Sequence, residues 1–167
     1  EILAMTVECL LATGLTEFQV SVGQVDYYKA IFAQTGMSQE EEEELRELIS
    51  QKNYFGVEEL VKNKNMDKSL ARVLSQLPQM FGSTEVLEKA KSLTDNPQAL
   101  KAVARLEEIY ELLKVYGYEK YVTFDFAMLS KYHYYTGIIF QAYTYGTGDA
   151  VVKGGRYDHL IGQFGKD

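Results

Sequence analysis

Tyr132-His133-Tyr134-Tyr135-Thr136-Gly137-Ile138-Ile139-Phe140-Gln141, followed after a short interval by Gly154-Gly155-Arg156-Tyr157-Asp158, decides how this chain is read. Residues Tyr134 to Tyr145 are rich in aromatic and β-branched side chains, which favours a long strand. Tyrosines on such a strand can line one side of a pocket, their hydroxyls bonding a polar ligand and their rings packing on its flat part. Gly146-Thr147-Gly148-Asp149 is a turn by composition, and Ala150 to Lys153 returns as a short strand. Gly154 and Gly155 follow that strand without side chains, so a ligand or a second strand can approach their backbone closely. Arg156 carries a planar fork suited to a carboxylate or phosphate. Together these residues suggest a site for a small planar zwitterion such as an amino acid. A plainer reading stays open: tyrosines as core and edge residues, Gly-Gly as a bulge, and Arg beside Asp as a surface pair worth ~0–1 kcal/mol.

Outward from this region the pattern alternates between strand and helix. Tyr121 to Phe126 sets Val122, Phe124 and Phe126 against Thr123 and Asp125, and Glu17 to Val22 sets Phe18, Val20 and Val22 against polar neighbours. Both predict strands with one buried face, the second ended by Gly23. A helix precedes Gly14, with Leu3, Val7, Leu10 and Leu11 on one side, and another spans Val25 to Gln34. From Ser38 the chain is helical in pattern. Ser38 with Glu41 makes a capping box ahead of an acidic helix. Asn53 and Asp67 each cap a short helix, and Thr84 to Leu93 forms a further one. Asn96-Pro97 opens the longest, whose stripe is Leu100, Val103, Leu106, Tyr110 and Leu113 and whose end is Gly117. The expectation is one α+β domain made of residues 1–35 and 118–167, interrupted by an all-helical insertion over residues 36–117.

Composition narrows the classes. With 167 residues, 46% hydrophobic and 25% charged, the chain has the balance of a globular domain. No apolar run approaches the ~20 residues of a membrane-spanning helix. A net charge of -7, with lysines and arginines scattered among acids, weighs against nucleic-acid binding. The single Cys9 excludes an internal disulfide, fits a reducing cytoplasm and is expected to be a buried core thiol. Two histidines and one cysteine fall short of the usual structural zinc set, so no metal is expected. His159 reads as a solvated surface residue and Glu40 to Glu44 as a solvated helix face. Glu1 at the start and Lys166-Asp167 at the end suggest a piece of a longer protein.

The Tyr134 to Phe140 stretch together with Gly154-Gly155-Arg156-Tyr157-Asp158 resembles the histidine-binding region of histidyl-tRNA synthetases. In that family the first stretch reads Arg, Gly, Leu, Asp, Tyr, Tyr and runs on to Phe-Glu, and the second reads Gly-Gly-Arg-Tyr-Asp. The resemblance covers nearly the whole chain. It implies an antiparallel sheet of the class II aminoacyl-tRNA synthetase type with a helical insertion. It also implies that Tyr134, Tyr135, Arg156 and Tyr157 line a histidine pocket.

The departures are specific. The family's catalytic arginine, which neutralises the α-phosphate as the adenylate forms, falls on Ser130, and a hydroxyl cannot replace a fixed cation there. Loss of such a stabiliser typically costs ~10²–10³ in rate. The family's Asp falls on His133, so its acidic partner for the ligand's ammonium or imidazole is missing, and its Glu falls on Gln141. Loss of catalytic residues with retention of both frames looks like the regulatory subunits of short-form ATP phosphoribosyltransferase. Glu17-Phe18-Gln19-Val20 and Gly155 to Gly165 resemble that subfamily too. The resemblance implies a cytoplasmic, non-catalytic protein without a cofactor. It would pair with the short catalytic subunit, as a homodimer within a hetero-oligomer, and relay feedback inhibition by histidine in the first step of histidine biosynthesis. Two other readings stay open: a working histidyl-tRNA synthetase with another cation in place of Ser130, and a synthetase-like binding or structural protein.

Overall fold

The computed structural model describes residues 1–64, 66–129 and 134–165. In chain order the elements are α1 (Ile2–Ala12), β1 (Phe18–Gln24), α2 (Val25–Phe32), α3 (Gln39–Ser50), α4 (Tyr54–Asn63), α5 (Lys68–Gln76), β2 (Phe81–Gly82), α6 (Glu85–Ser92), α7 (Pro97–Val115), β3 (Val122–Asp125), β4 (Ile138–Thr144) and β5 (Val152–Gly155). Single 3-10 turns cover Leu77–Gln79, Glu119–Tyr121 and Ile161–Phe164. Among the described residues no helix is long and apolar enough to cross a membrane.

The helix starts follow from local chemistry. Ser38 and Glu41 close the capping box, the Ser38 amide donating to the Glu41 carboxylate at 2.9 Å and the Glu41 amide to Ser38 Oγ at 3.4 Å. Asn53 accepts from the Gly56 amide at 3.0 Å, and Asp67 from Ser69 at 2.8 Å. Asn96 accepts from both Gln98 and Ala99, at 2.9 and 3.1 Å, ahead of Pro97. The acids of α3 stand at the solvent, with Glu42 paired to Arg46 and Glu41 to Lys64.

The sheet order is β2-β3-β1-β4-β5. β1 runs parallel to β3, with Val20 opposite Val122, and antiparallel to β4, with Val22 opposite Phe140. The β2–β3 and β4–β5 pairs are antiparallel, so the sheet is mixed rather than purely antiparallel. Partners across a ladder share a face. Val20, Val22, Phe124, Phe140 and Ala142 therefore lie together, and they join Val7, Ile31, Val103 and Leu106 of the helices in one hydrophobic core.

Several expectations change. β1 is buried on both faces, not one: Val20 and Val22 face the core, while on the other face Ser21 meets Thr123 at 3.3 Å between hydroxyls and Met128 and Ile139 cover Gly23. Gly23 lies within β1 instead of ending it. A Cβ there would sit 3.1 Å from Met128 Cβ and 3.2 Å from Ile139 Cγ1, so these side chains close over the bare backbone. The segment 36–117 is helical except for β2, whose Phe81 pairs with Asp125 and ties the segment to the sheet edge. Cys9 is exposed, not a core thiol. It sits about 200° around the helix from Val7, whose side faces the core.

Candidate functional site

The site forms where β4 begins and β5 ends. The ladder continues past both strands: the Arg156 amide donates to the Ile138 carbonyl, and the Thr136 amide to the Arg156 carbonyl, each at 2.8 Å. This brings Thr136 and Arg156 side by side. The long strand expected from Tyr134 starts instead at Ile138. Gly137, at φ +71°, turns the chain, and its carbonyl accepts from the Val25 amide at 2.9 Å rather than from β5. Tyr134 and Tyr135 thus occupy a corner ahead of the strand.

Gly154 and Gly155 lie inside β5, not after it, and side chains of the chain itself stand over both. Gly154 faces Phe140, and a Cβ on it would be 2.5 Å from the ring's Cζ. A Cβ on Gly155 would be 2.6 Å from Tyr135 Cδ1 and 2.9 Å from Ile139 Cγ2. Each glycine accommodates an aromatic ring of the chain itself, Gly154 the ring of its cross-strand partner Phe140 and Gly155 the ring of Tyr135 from the corner ahead of β4, which offsets the weak strand preference of glycine.

The three predicted tyrosines come together. Tyr134 and Tyr135 have ring centroids 4.5 Å apart, and Tyr157 stands edge-on to both at 6.3 Å. Arg156 Nε donates to Asp158 Oδ1 at 2.8 Å, and the Thr136 hydroxyl donates to Asp158 Oδ2 at 3.0 Å. The hydrogen bond from Arg156 holds the Asp158 carboxyl below the usual carboxylate range, with Thr136 adding to it. The same bond raises Arg156 further, followed by the charges of Asp158 and Asp26. His159 is exposed, as expected. Ser130 and His133 lie outside the described residues.

A groove of about 1250 Å³ passes Tyr135, Gly155, Arg156 and Tyr157 and continues between Asp26, Lys29 and α7 towards Ile2 and Leu112. Tyr134 is not among its lining residues but packs on Tyr135. Two residues missed in the sequence stand at the corner. Asp26 Oδ2 lies 3.7 Å, and Gln24 Oε1 3.8 Å, from where a Cβ on Gly137 would be. Gln24 Oε1 also accepts the Asp26 amide at 3.1 Å, capping α2. Lys29 Nζ donates to the Tyr135 carbonyl at 3.1 Å. Asp26 reads in sequence as an ordinary first-turn helix acid, and only the β1–α2 junction brings it near Arg156. The arrangement places a carboxylate, a guanidinium and a cage of phenol rings on one open wall, chemistry suited to an amino acid with a flat side chain.

Comparison with known proteins gives the family and the fold. The family model described as histidyl-tRNA synthetase matches residues 1–167. A protein of Acetivibrio thermocellus named ATP phosphoribosyltransferase regulatory subunit is 40% identical over 99% of this chain and 40% of its own length. One of the same name from Thermoanaerobacter pseudethanolicus is 42% identical over 99% of this chain and 44% of its own. A crystal structure from Bacillus halodurans, described as an ATP phosphoribosyltransferase regulatory subunit/histidyl-tRNA synthetase, superposes with a TM-score of 0.88 at 32% identity, covering 98% of this chain and 43% of that one. The chain thus spans less than half the length of these relatives. With the whole of its sequence matched, the chain belongs to the histidyl-tRNA synthetase family.

Proposed function

We propose that this chain is part of a non-catalytic regulatory subunit of ATP phosphoribosyltransferase, which supports the short catalytic subunit in the first step of histidine biosynthesis and makes it sensitive to histidine. The observation that carries the reading is 40–42% identity, along nearly the whole chain, to proteins of that name. Ser130 at the position of the family's catalytic arginine points the same way, since adenylate formation needs a fixed cation there. In this reading the protein works in the cytoplasm, as a homodimer within a hetero-oligomer, and uses no cofactor of its own.

Tyr134, Tyr135, Arg156 and Tyr157 are the remnant of a histidine pocket. Arg156 would take the carboxylate by exchanging its contact with Asp158, and the phenol rings would flank the imidazole. Asp26 gives the wall a negative charge near Arg156, which supports retention of histidine binding.

The test uses the full-length protein with the short catalytic subunit, assayed for ATP phosphoribosyltransferase activity with and without histidine. Activity, or sensitivity to histidine, beyond that of the catalytic subunit alone is expected. An unchanged catalytic subunit, together with charging of histidine tRNA by the full-length protein, would establish the synthetase reading instead.

A further inference from the structure

Lys52 has an unusual backbone and an unusual set of contacts. It is the position just past the C-cap of α3, where the Lys52 amide donates to Ile49 O and the Asn53 amide to Leu48 O, each at 2.9 Å. This is the double bond pattern that normally carries glycine, because the residue must take positive φ. Lys52 does so at φ +56°, and among the described residues no other non-glycine residue does. A side chain held in that region persists when its surroundings over-determine it.

The surroundings here belong to the sheet. Lys52 Nζ donates to Asp125 Oδ2 at 2.9 Å and lies 4.8 Å from the centre of the Phe81 ring, on the residue that pairs with Asp125 across β2–β3. Asp125 is buried, and its other oxygen accepts the Ala127 amide at 2.9 Å. Two residues earlier in α3, the Ser50 hydroxyl donates to the Leu129 carbonyl at 3.5 Å. The end of α3 therefore grips the segment from Asp125 to Leu129.

That segment is packed towards the candidate site. Met128 sits against Gly23 beside Ile139, and Ile139 with the Tyr135 ring closes over Gly155. Lys52 bonds Asp125, the Met128 amide donates to the Asp125 carbonyl, Met128 and Ile139 flank the bare backbone of Gly23, and Ile139 and Tyr135 flank that of Gly155, so a succession of neighbours leads from Lys52 to the corner. We propose that Lys52 is a positioning residue, through which the helical segment sets the placement of the Tyr135 corner. It touches no ligand; it fixes the floor on which the corner rests. The functional meaning of that corner rests on the histidine reading above, whereas the mechanical link does not.

The experiment is amide hydrogen exchange on the full-length protein, comparing wild type with Lys52→Gly, Lys52→Met and Lys52→Arg. Glycine suits the backbone at this position and removes only the latch. In the Gly and Met variants the amides of Ala127 and Thr136 exchange about fivefold faster or more, while Leu45 and Ile49 within α3 keep their protection. The Arg variant, which can still reach Asp125, restores Thr136. Acceleration confined to Ala127, or none at all, overturns the proposal. Histidine affinity, measured by calorimetry on the same proteins, falls about fivefold in Lys52→Gly and recovers in Lys52→Arg. A wild type that binds no histidine refutes the pocket and leaves Thr136 exchange to decide the latch.

Discussion

Replacing Gly154 by alanine tests the β4–β5 arrangement directly. The new Cβ would be 2.5 Å from Phe140 Cζ and 2.7 Å from Cε1, against ordinary carbon contacts of about 3.5–4.0 Å. About 1 Å of overlap must be relieved. The Phe140 ring is only 7% exposed and packs into the core, so it cannot swing into solvent. Overpacking of this kind costs about 1–3 kcal/mol, and removing a glycine from a strand returns about 0.5–1 kcal/mol. The expected net loss is about 0–2.5 kcal/mol, a drop of up to roughly 10 °C in melting temperature. Urea and thermal denaturation measure it, and a double-mutant cycle with Phe140→Leu should recover much of the loss. Gly155→Ala disturbs the site as well as the sheet. There the new Cβ would meet the half-buried Tyr135 ring at 2.6 Å and the buried Ile139 at 2.9 Å, so histidine binding should weaken along with stability. Stability of Gly154→Ala equal to wild type, with no coupling to Phe140, would refute the cross-strand packing.

Three further outcomes follow from the described contacts. Tyr27→Phe removes a buried hydroxyl that donates to the Ala90 carbonyl at 3.0 Å, and should cost about 1–3 kcal/mol in chemical denaturation. Burial pushes that phenol well above its ordinary range, so the loss should not depend on pH below about 10. Asn96→Ala deletes the cap of α7 and should cost about 0.5–2 kcal/mol, read by helical circular dichroism against urea. Asp158→Ala should lower the melting temperature at neutral pH. Because the folded carboxyl is held below its unfolded value of about 3.9, that difference is fully present above pH ~4 and fades as pH falls through the folded value. A gap that stays constant to pH 2 would contradict the Arg156–Asp158 bond.

Local chemistry was legible and distant contacts were not. Ser38, Asn53, Asp67 and Asn96 act as caps because a cap involves only the next three residues, and each starts its helix as the sequence predicts. The gathering of Tyr134, Tyr135, Arg156 and Tyr157 was legible through the family resemblance. Its internal arrangement was not: the positive φ of Gly137 and the rings over Gly154 and Gly155 depend on which strands meet. β2 escapes notice because two residues show no periodicity, and Asp26 because its neighbours at the site are Gly137 and Arg156, far away in sequence. Cys9 departs from the expectation because the general tendency of a free thiol to be buried yields to its place on the helix: like Ile2 and Met5 it lies on the exposed side of α1, away from Leu3, Val7 and Leu10.

The parallel pairing of β1 with β3 joins residues such as Ser21 and Thr123 that are 102 positions apart. Closing a loop of that length costs about 4 kcal/mol beyond a constant, and halving or doubling it changes this by only about 0.6 kcal/mol. Evolution can therefore lengthen or trim the crossover cheaply, provided the docking points at Lys52, Phe81 and Tyr27 survive. Timing is the harder constraint. At about 5–20 residues per second of synthesis, β1 waits roughly 5–20 s for β3, and longer for β4. Throughout that interval both of its edges are unpaired and Phe18, Val20 and Val22 lack their final neighbours. The most vulnerable moment of this protein is its own translation, when its central strand is made long before either partner.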